Sequence, residues 1–338
     1  MRKLLLSLLA LPVLFGLFLL WALSPAVSPG KFPPEGIFQG TAPEAAPAAE
    51  KGRSLKIVSY NIGYASGDKN NLPLPLTREE VEKNLKDMAE ALSKLNPDLV
   101  LLQEVDFRSA RTFGINQMEF LSRALGLPYG AYVVTWNKRY LPWPYWPPRA
   151  QFGRLVSGQA VLSRFPIEKQ ELLRFPKPAS NPFWYNWFYL DRIAQKLILT
   201  RDGQPLAVFN VHLEAFDPKS RGGQAEALGL WVKEEATQEK WVGGDFNSIS
   251  KLRADLTEEE KKALEDRGEA LRIFMDLTGL SNAEDGNEVL TMPSWNPVKK
   301  IDHIFYDASR FRMMKMGTVP GLVASDHLPV WAEFEALK

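Results

Sequence analysis

The tightest constraint on this chain is a short apolar run that stops on two glycines and then sets an acid and an amide two residues apart: Trp241-Val242-Gly243-Gly244-Asp245-Phe246-Asn247-Ser248. In extended backbone, residues i and i+2 project to the same face. Asp245 and Asn247 therefore reach one place from the end of a buried strand. The glycines let the backbone turn tightly or let a ligand come close. The same residues also fit an Asx-turn, in which Asp and Asn merely bond their own backbone. What favours a site is the supply of partners elsewhere in the chain.

Other apolar runs end in the same manner. Leu55-Lys56-Ile57-Val58-Ser59-Tyr60 reads as a first strand, and Asn61 follows it. A helix comes next, opened by a Thr77–Glu80 capping box and ended by Pro97, with Val81, Leu85, Met88 and Leu92 at helical spacing. Asp98-Leu99-Val100-Leu101-Leu102 is a buried strand that runs into Gln103-Glu104. Ile193 to Leu199 and Leu206 to Val211 pair around the Asp202-Gly203 turn, and the second strand ends in His212-Leu213-Glu214. Near the C-terminus stand Lys300-Ile301-Asp302-His303-Ile304-Phe305 and Ser325-Asp326-His327-Leu328-Pro329-Val330. Taken alone, Glu104 fits a surface acid after a core strand as well as a site residue, and a lone Asp-His pair is more often a turn than a site. Six polar clusters at strand ends are where layered α/β folds build sites.

The donor types narrow the chemistry. Carboxylate and amide oxygens suit Mg²⁺ or Mn²⁺, and a histidine beside such an ion suits proton transfer or phosphate stabilisation. The chain has no cysteine and only three histidines, His212, His303 and His327, without the spacing of a helical zinc motif. A thiol nucleophile and a disulfide framework are excluded. The net charge of +1 provides no global field for nucleic acid or an anionic membrane.

Arg2 and Lys3 precede an uncharged apolar run from Leu4 to Leu23, near the ~20 residues of a membrane helix. An uncleaved anchor is favoured over a cleaved signal peptide, whose apolar core is shorter. The preceding charges place everything after the run outside the cytoplasm. The expected organisation is an anchor or signal segment over residues 1–23, a Pro/Ala-rich linker over 24–53 and a catalytic domain over 54–338. Two aromatic segments, Trp136 to Pro148 and Phe183 to Tyr189, read as loops, because the first is too rich in proline for a helix or central strand. They either pack on the domain, stack bases or contact a membrane interface.

Ser59-Tyr60-Asn61, Leu102-Gln103-Glu104, His212-Leu213-Glu214, Gly244-Asp245-Phe246-Asn247 and Ser325-Asp326-His327-Leu328-Pro329 together resemble the ordered motifs of the endonuclease/exonuclease/phosphatase superfamily, the DNase I-like metal-dependent phosphoesterases. The resemblance runs from about Leu55 to the C-terminus. It implies an α/β fold, a four-layer α/β/β/α sandwich of two packed sheets with helices outside. It also implies roles. Glu104 would be the main metal carboxylate, with Asn61 nearby and Asp326 completing the Mg²⁺ or Mn²⁺ side. Asp245 would orient or deprotonate the attacking water, Asn247 and His212 would stabilise the transition state, and Asp302 would orient His327. His303, standing beside that Asp, is expected to be a core or surface residue.

The implied activity is hydrolysis of a phosphodiester by in-line attack of water. The expected substrate is lipid-linked or small, in the manner of sphingomyelinase-like members. The alternatives are a secreted or anchored nuclease acting on DNA or RNA, and a binding module without turnover. The intact Glu104, Asp245, Asn247 and His327 argue against the binding module.

Overall fold

The computed structural model describes residues 2–40, 54–264, 268–284 and 289–337, with side chains of the first helix from residue 10 onward. Residues 41–53 of the expected linker lie outside the described residues.

The apolar N-terminal run forms α1 (Arg2–Leu23). Among the described residues no helix is long and apolar enough to cross a membrane. Part of the expected linker is ordered as β1 (Glu35–Gln39).

A βαβ unit follows. β2 (Leu55–Asn61) and β3 (Leu99–Asp106) lie parallel, and α2 (Arg78–Leu95) makes the crossover that parallel pairing requires. The Thr77–Glu80 capping box forms in both directions, and left-handed Asn96 closes the helix before Pro97. α3 (Gln117–Leu125) is capped by Asn116 and closed by left-handed Gly126. β4 (Tyr129–Leu141) and β5 (Gly153–Ser163) then pair antiparallel, and β1 adds to the outer edge of β4. Trp136 to Leu141 were expected to be irregular, yet they continue β4 through two register shifts. The first residue without an amide donor is Pro142, so nothing before it breaks the ladder.

β6 (Ile167–Arg174) leads to α4 (Phe183–Phe188), a short helix where a loop was expected. β7 (Ile193–Arg201) and β8 (Gln204–His212) form a hairpin whose turn residues Asp202 and Gly203 both have positive φ. A second βαβ unit runs through α5 (Pro218–Glu234) to β9 (Glu239–Asp245), parallel to β8. The remainder is β10 (Lys251–Leu252), α6 (Glu258–Ala263), α7 (Glu269–Thr278), β11 (Ser281–Asn282), β12 (Lys299–Lys300), β13 (Asp302–Tyr306), β14 (Phe311–Gly317) and β15 (Val330–Ala336).

One sheet has the order β1-β4-β5-β3-β2-β15-β14 and the other β11-β13-β9-β8-β7-β6. Alternation along the strands sorts their side chains between faces. Ile57, Leu101 and Ala332 of the first sheet meet Leu197, Val208, Trp241 and Ile304 of the second in one core. The opposite face of the first sheet packs Val58, Val100 and Leu102 against Leu85, Met88 and Leu121 of α2 and α3. The opposite face of the second packs Phe209, Val242 and Phe305 against Leu228 and Phe274 of α5 and α7. Trp241 is fully buried against Phe311 and Phe334, at 4.8 and 4.4 Å between ring centroids. Its truncation to Ala would cost roughly 3–5 kcal/mol.

Candidate active site

The two βαβ units point their strand ends to the same edge. β2 delivers Asn61, β3 delivers Glu104, β8 delivers His212 and β9 delivers Asp245. β13 runs antiparallel to β9 and sets Asp302 directly opposite Asp245. The connection between β14 and β15 contributes Asp326 and His327. The sheets are pinned together here by polar contacts. Asn61 Nδ2 donates to Asp245 Oδ2 at 3.0 Å, and Gln103 Nε2 donates to Asn210 Oδ1 at 2.7 Å. Gly244 makes the β8–β9 approach possible: at φ 152°, a Cβ would lie 2.0 Å from the Val211 carbonyl oxygen.

Local backbone aims the acids. Glu104 has φ 53°, at a break in the β3–β5 register between Leu102 and Val105. A non-glycine residue held there stores on the order of 1–3 kcal/mol, the kind of strain found at functional sites. Asn247 is also left-handed, at φ 48°. Its backbone N–H donates to Asp245 Oδ1 at 2.8 Å, so the Asx-turn exists and coexists with the site. Asn247 Nδ2 donates to the Leu213 carbonyl at 3.1 Å.

The surroundings of His327 and His212 push their pKa values in opposite directions. His327 Nδ1–H donates to Asp302 Oδ2 at 2.9 Å, and its Nε2 lies 3.9 Å from Asp245 Oδ2. Burial pulls the His327 pKa down, but the carboxylates of Asp302, Asp245 and Asp326 overcome it and hold the pKa well above the ordinary value. His212 Nε2 lies 3.6 Å from Asp245 and 3.9 Å from Glu104, and it accepts a hydrogen bond from Arg192 Nη1. Burial, with Arg192 and His327 adding repulsion, holds the His212 pKa well below the ordinary value. His303 is a core residue. It is fully buried, within 3.0 Å of the Ser248 carbonyl and 3.1 Å of Asn282 Nδ2, and it meets Phe246 edge-on.

The acids are short of positive charge. Burial and then Asp326 push Glu104 up to about 7, and burial and then Asp302 push Asp245 up to about 6. One amide nitrogen, Asn70 Nδ2, serves Glu104 at 3.2 Å and Asp326 at 3.1 Å. Asp245, Asp302 and His327 have ligand atoms within 4.8 Å of one another, so they form a candidate cation group. There the His327 Nδ1 is already committed to Asp302, and a protonated ring repels a cation. Glu104, Asp326 and Asn61 offer hard oxygens without that conflict. The donor set fits an oxygen-seeking divalent cation.

Sequence reasoning missed Arg192 and Asn70, and gave no site role to Glu214 of the His212-Leu213-Glu214 motif or to Tyr189 of the second aromatic segment. Arg192 is buried, 3.7 Å from Glu214, which accepts the Tyr189 hydroxyl at 2.8 Å. Its place was countable: the Asp202-Gly203 turn fixes the hairpin register, which sets Ile193 opposite His212 and Arg192 beside it. Asn70 sits outside the strands and helices' regular patterns and gave no signal.

The family model described as "Endonuclease/Exonuclease/phosphatase family" matches residues 58–327. Among solved structures, an endonuclease/exonuclease/phosphatase from Beutenbergia cavernae is 16% identical with TM-score 0.59, covering 84% of this chain and 72% of that one. The mannosyl-6-phosphatase of Bacteroides thetaiotaomicron is 17% identical with TM-score 0.57, covering 83% and 99%. The D. rerio TDP2 complex with single-strand DNA product is 16% identical with TM-score 0.51, covering 83% and 99%. No match is found among curated proteins. With a family match over most of its length, on the fold and strand-end residues described above, the chain belongs to the endonuclease/exonuclease/phosphatase family.

Proposed function

We propose that the chain is a divalent-metal-dependent hydrolase of a lipid-linked or small phosphodiester, built on a four-layer frame and held outside the cytoplasm by α1. The observation that carries the catalytic part is the meeting of three buried or half-buried acids, Glu104, Asp245 and Asp326, with the Asp302–His327 pair and Arg192 at one strand edge.

Glu104, Asp326 and Asn61 would hold Mg²⁺ or Mn²⁺, which supplies charge neutralisation to a phosphoryl oxygen. Asp245, raised to about 6, is ionised near neutrality yet basic enough to take the proton of the attacking water. Its orientation is fixed by donors from Asn61 Nδ2 and the Asn247 amide. His327 keeps its Nδ1 proton on Asp302 and presents Nε2–H to developing charge on phosphate. Arg192 provides a fixed cation on the His212 side. Asn247 and His212 complete the cradle.

The anchor reading is supported by Arg2 and Lys3 before the apolar run and by the 22-residue helix it forms. Cleavage and secretion is the alternative. Lipid is favoured over nucleic acid by the modest net charge and by the exposed rings of Trp146, Phe183 and Trp184. The same rings also favour a second reading, since they can stack unpaired bases, and similar proteins include one solved with a DNA product and one named for a phosphosugar.

The test compares hydrolysis of sphingomyelin and phosphatidylinositol vesicles, single-stranded RNA and plasmid DNA, with Mg²⁺ and with excess EDTA. Lipid turnover lost in EDTA and restored by Mg²⁺ is expected. Full activity in EDTA would sink the metal role. Plasmid nicking that falls steeply with salt, without lipid turnover, would reverse the substrate ranking.

A further inference from the structure

The chain leaving α1 is stitched to the body. The Arg139 amide donates to the Ser24 carbonyl at 2.8 Å, and the Ala26 amide donates to Asn137 Oδ1 at 2.7 Å. Asn137 Nδ2 returns a bond to the Val27 carbonyl at 3.0 Å. Trp21 stacks on Tyr140 at 5.9 Å between centroids. Between this strap and the body opens a cavity of about 960 Å³, lined among the described residues by Lys31, Arg108, Arg139 and Arg154 with a single acid, Glu119. That acid is engaged by Arg123 and by Asn116. Lys31, Arg108 and Arg154 have no carboxylate partner among the described residues. The Arg108 guanidinium is held over the Phe32 ring, 5.2 Å from its centroid. None of the strand-end acids or histidines lines the cavity.

We propose that this cavity binds the phosphate headgroup of an anionic phospholipid in the leaflet from which α1 emerges. The proposal rests on the reading of α1 as a membrane anchor. Three observations converge on it. The cavity begins two residues after α1 ends, which is headgroup level for a spanning helix. Its cations are concentrated in a chain whose net charge is only +1, so the positive charge is local. Rings suited to the interface stand at the same end of β4: Tyr140 against α1, then Trp143 and Trp146 in the turn that follows.

The experiment follows thermal unfolding of the full chain in neutral detergent during titration with phosphatidylglycerol, phosphatidylcholine, glycerophosphoglycerol and inorganic phosphate. A saturable rise with phosphatidylglycerol alone is expected. The double variant Arg108→Gln/Arg154→Gln changes only exposed side chains, and Lys31→Gln is the single-site check. Each cation near an anionic surface strengthens binding roughly fivefold, so the double variant should bind phosphatidylglycerol about ten- to thirtyfold more weakly. Its hydrolysis of a soluble chromogenic phosphodiester should be unchanged. Equal binding by variant and parent, or no preference over phosphatidylcholine, overturns the proposal. Equal response to glycerophosphoglycerol or phosphate overturns the lipid source in favour of a free anion. Phosphatidylglycerol binding by a chain that hydrolyses nothing supports the cavity and refutes the catalytic reading. Vesicle flotation of the detergent-free full chain is run in parallel, and a chain that does not float with phosphatidylglycerol vesicles refutes the anchor and the cavity together.

Discussion

At the strand ends, Asp245, Asp302 and His327 are buried, and each is held by at least one hydrogen bond from another element. On the flank beside β4, Trp146, Phe183 and Trp184 leave 76%, 71% and 50% of their surfaces exposed. Both regions collect residue types that proteins seldom leave in those settings. In the first, exclusion of water strengthens every charge and shifts protonation, so single atoms decide the outcome. In the second, water is present and rings act through the apolar area they offer. Substitutions in the two regions should therefore differ in kind as well as in size.

The largest effect is expected where the contrast is drawn between two histidines one element apart. His327→Ala removes a preorganised donor and should lower kcat by ~10²–10³, with Asp245→Ala at least as severe. His303→Gln should leave turnover within about tenfold, because that ring serves the Ser248 carbonyl and Asn282 rather than the strand-end acids. Its cost appears in the melt, at roughly 1–3 kcal/mol for buried groups left unmatched. Equal loss of turnover in both variants would erase the distinction between site and core.

A second effect separates the regions by pH. Glu104, raised to about 7 from an ordinary 4.5, keeps its proton longer in the fold than in the unfolded chain. Such a group stabilises fully below the unfolded pKa, and that stability is lost as pH rises through the folded one. His327, held well above its ordinary value, acts in the same direction. His212, held well below 6.5, acts oppositely, but its contribution is complete above that pH. Between pH 6.5 and 8.5 the metal-free protein should therefore lose stability. Mg²⁺ should raise the Tm more at pH 8.5 than at pH 6.5. A Tm that climbs with pH, or a metal effect independent of pH, would contradict the crowding of acids.

The strand ends were legible because short polar motifs interrupt apolar runs, and period-two alternation decides which side chains share a face. Asn61, Glu104, Asp245 and His327 all follow from that pattern and the resemblance it supports. Arg192 was hidden, although the hairpin register places it beside His212. Asn70, bridging Glu104 and Asp326 from a loop, has no periodic signature at all. On the flank, proline density made β4 look shorter than it is, since the ladder persists until Pro142 removes a donor. The pairing of β1 with β4 depends on an edge that only the folded sheet offers, so residues 35–39 read as linker.

The smallest effect on turnover is expected on the flank, and there the comparison is sharpest. Trp146 and Trp184 touch no strand-end residue, so Trp146→Ala/Trp184→Ala should hydrolyse a soluble phosphodiester within about twofold of the parent, the range of surface changes. The same double variant should lose part of the tryptophan quenching produced by brominated phosphatidylcholine vesicles, although eight of the ten tryptophans remain. One physical path joins the regions: α4 ends beside Tyr189, whose hydroxyl donates to Glu214, which pairs with Arg192 against His212. A tenfold fall in soluble turnover would mean that this path transmits, and that the flank positions the site. Unchanged quenching would mean that the rings do not meet the bilayer. Tyr189→Phe separates the two cases, because it removes the hydroxyl that reaches Glu214 while leaving Trp146 and Trp184 in place.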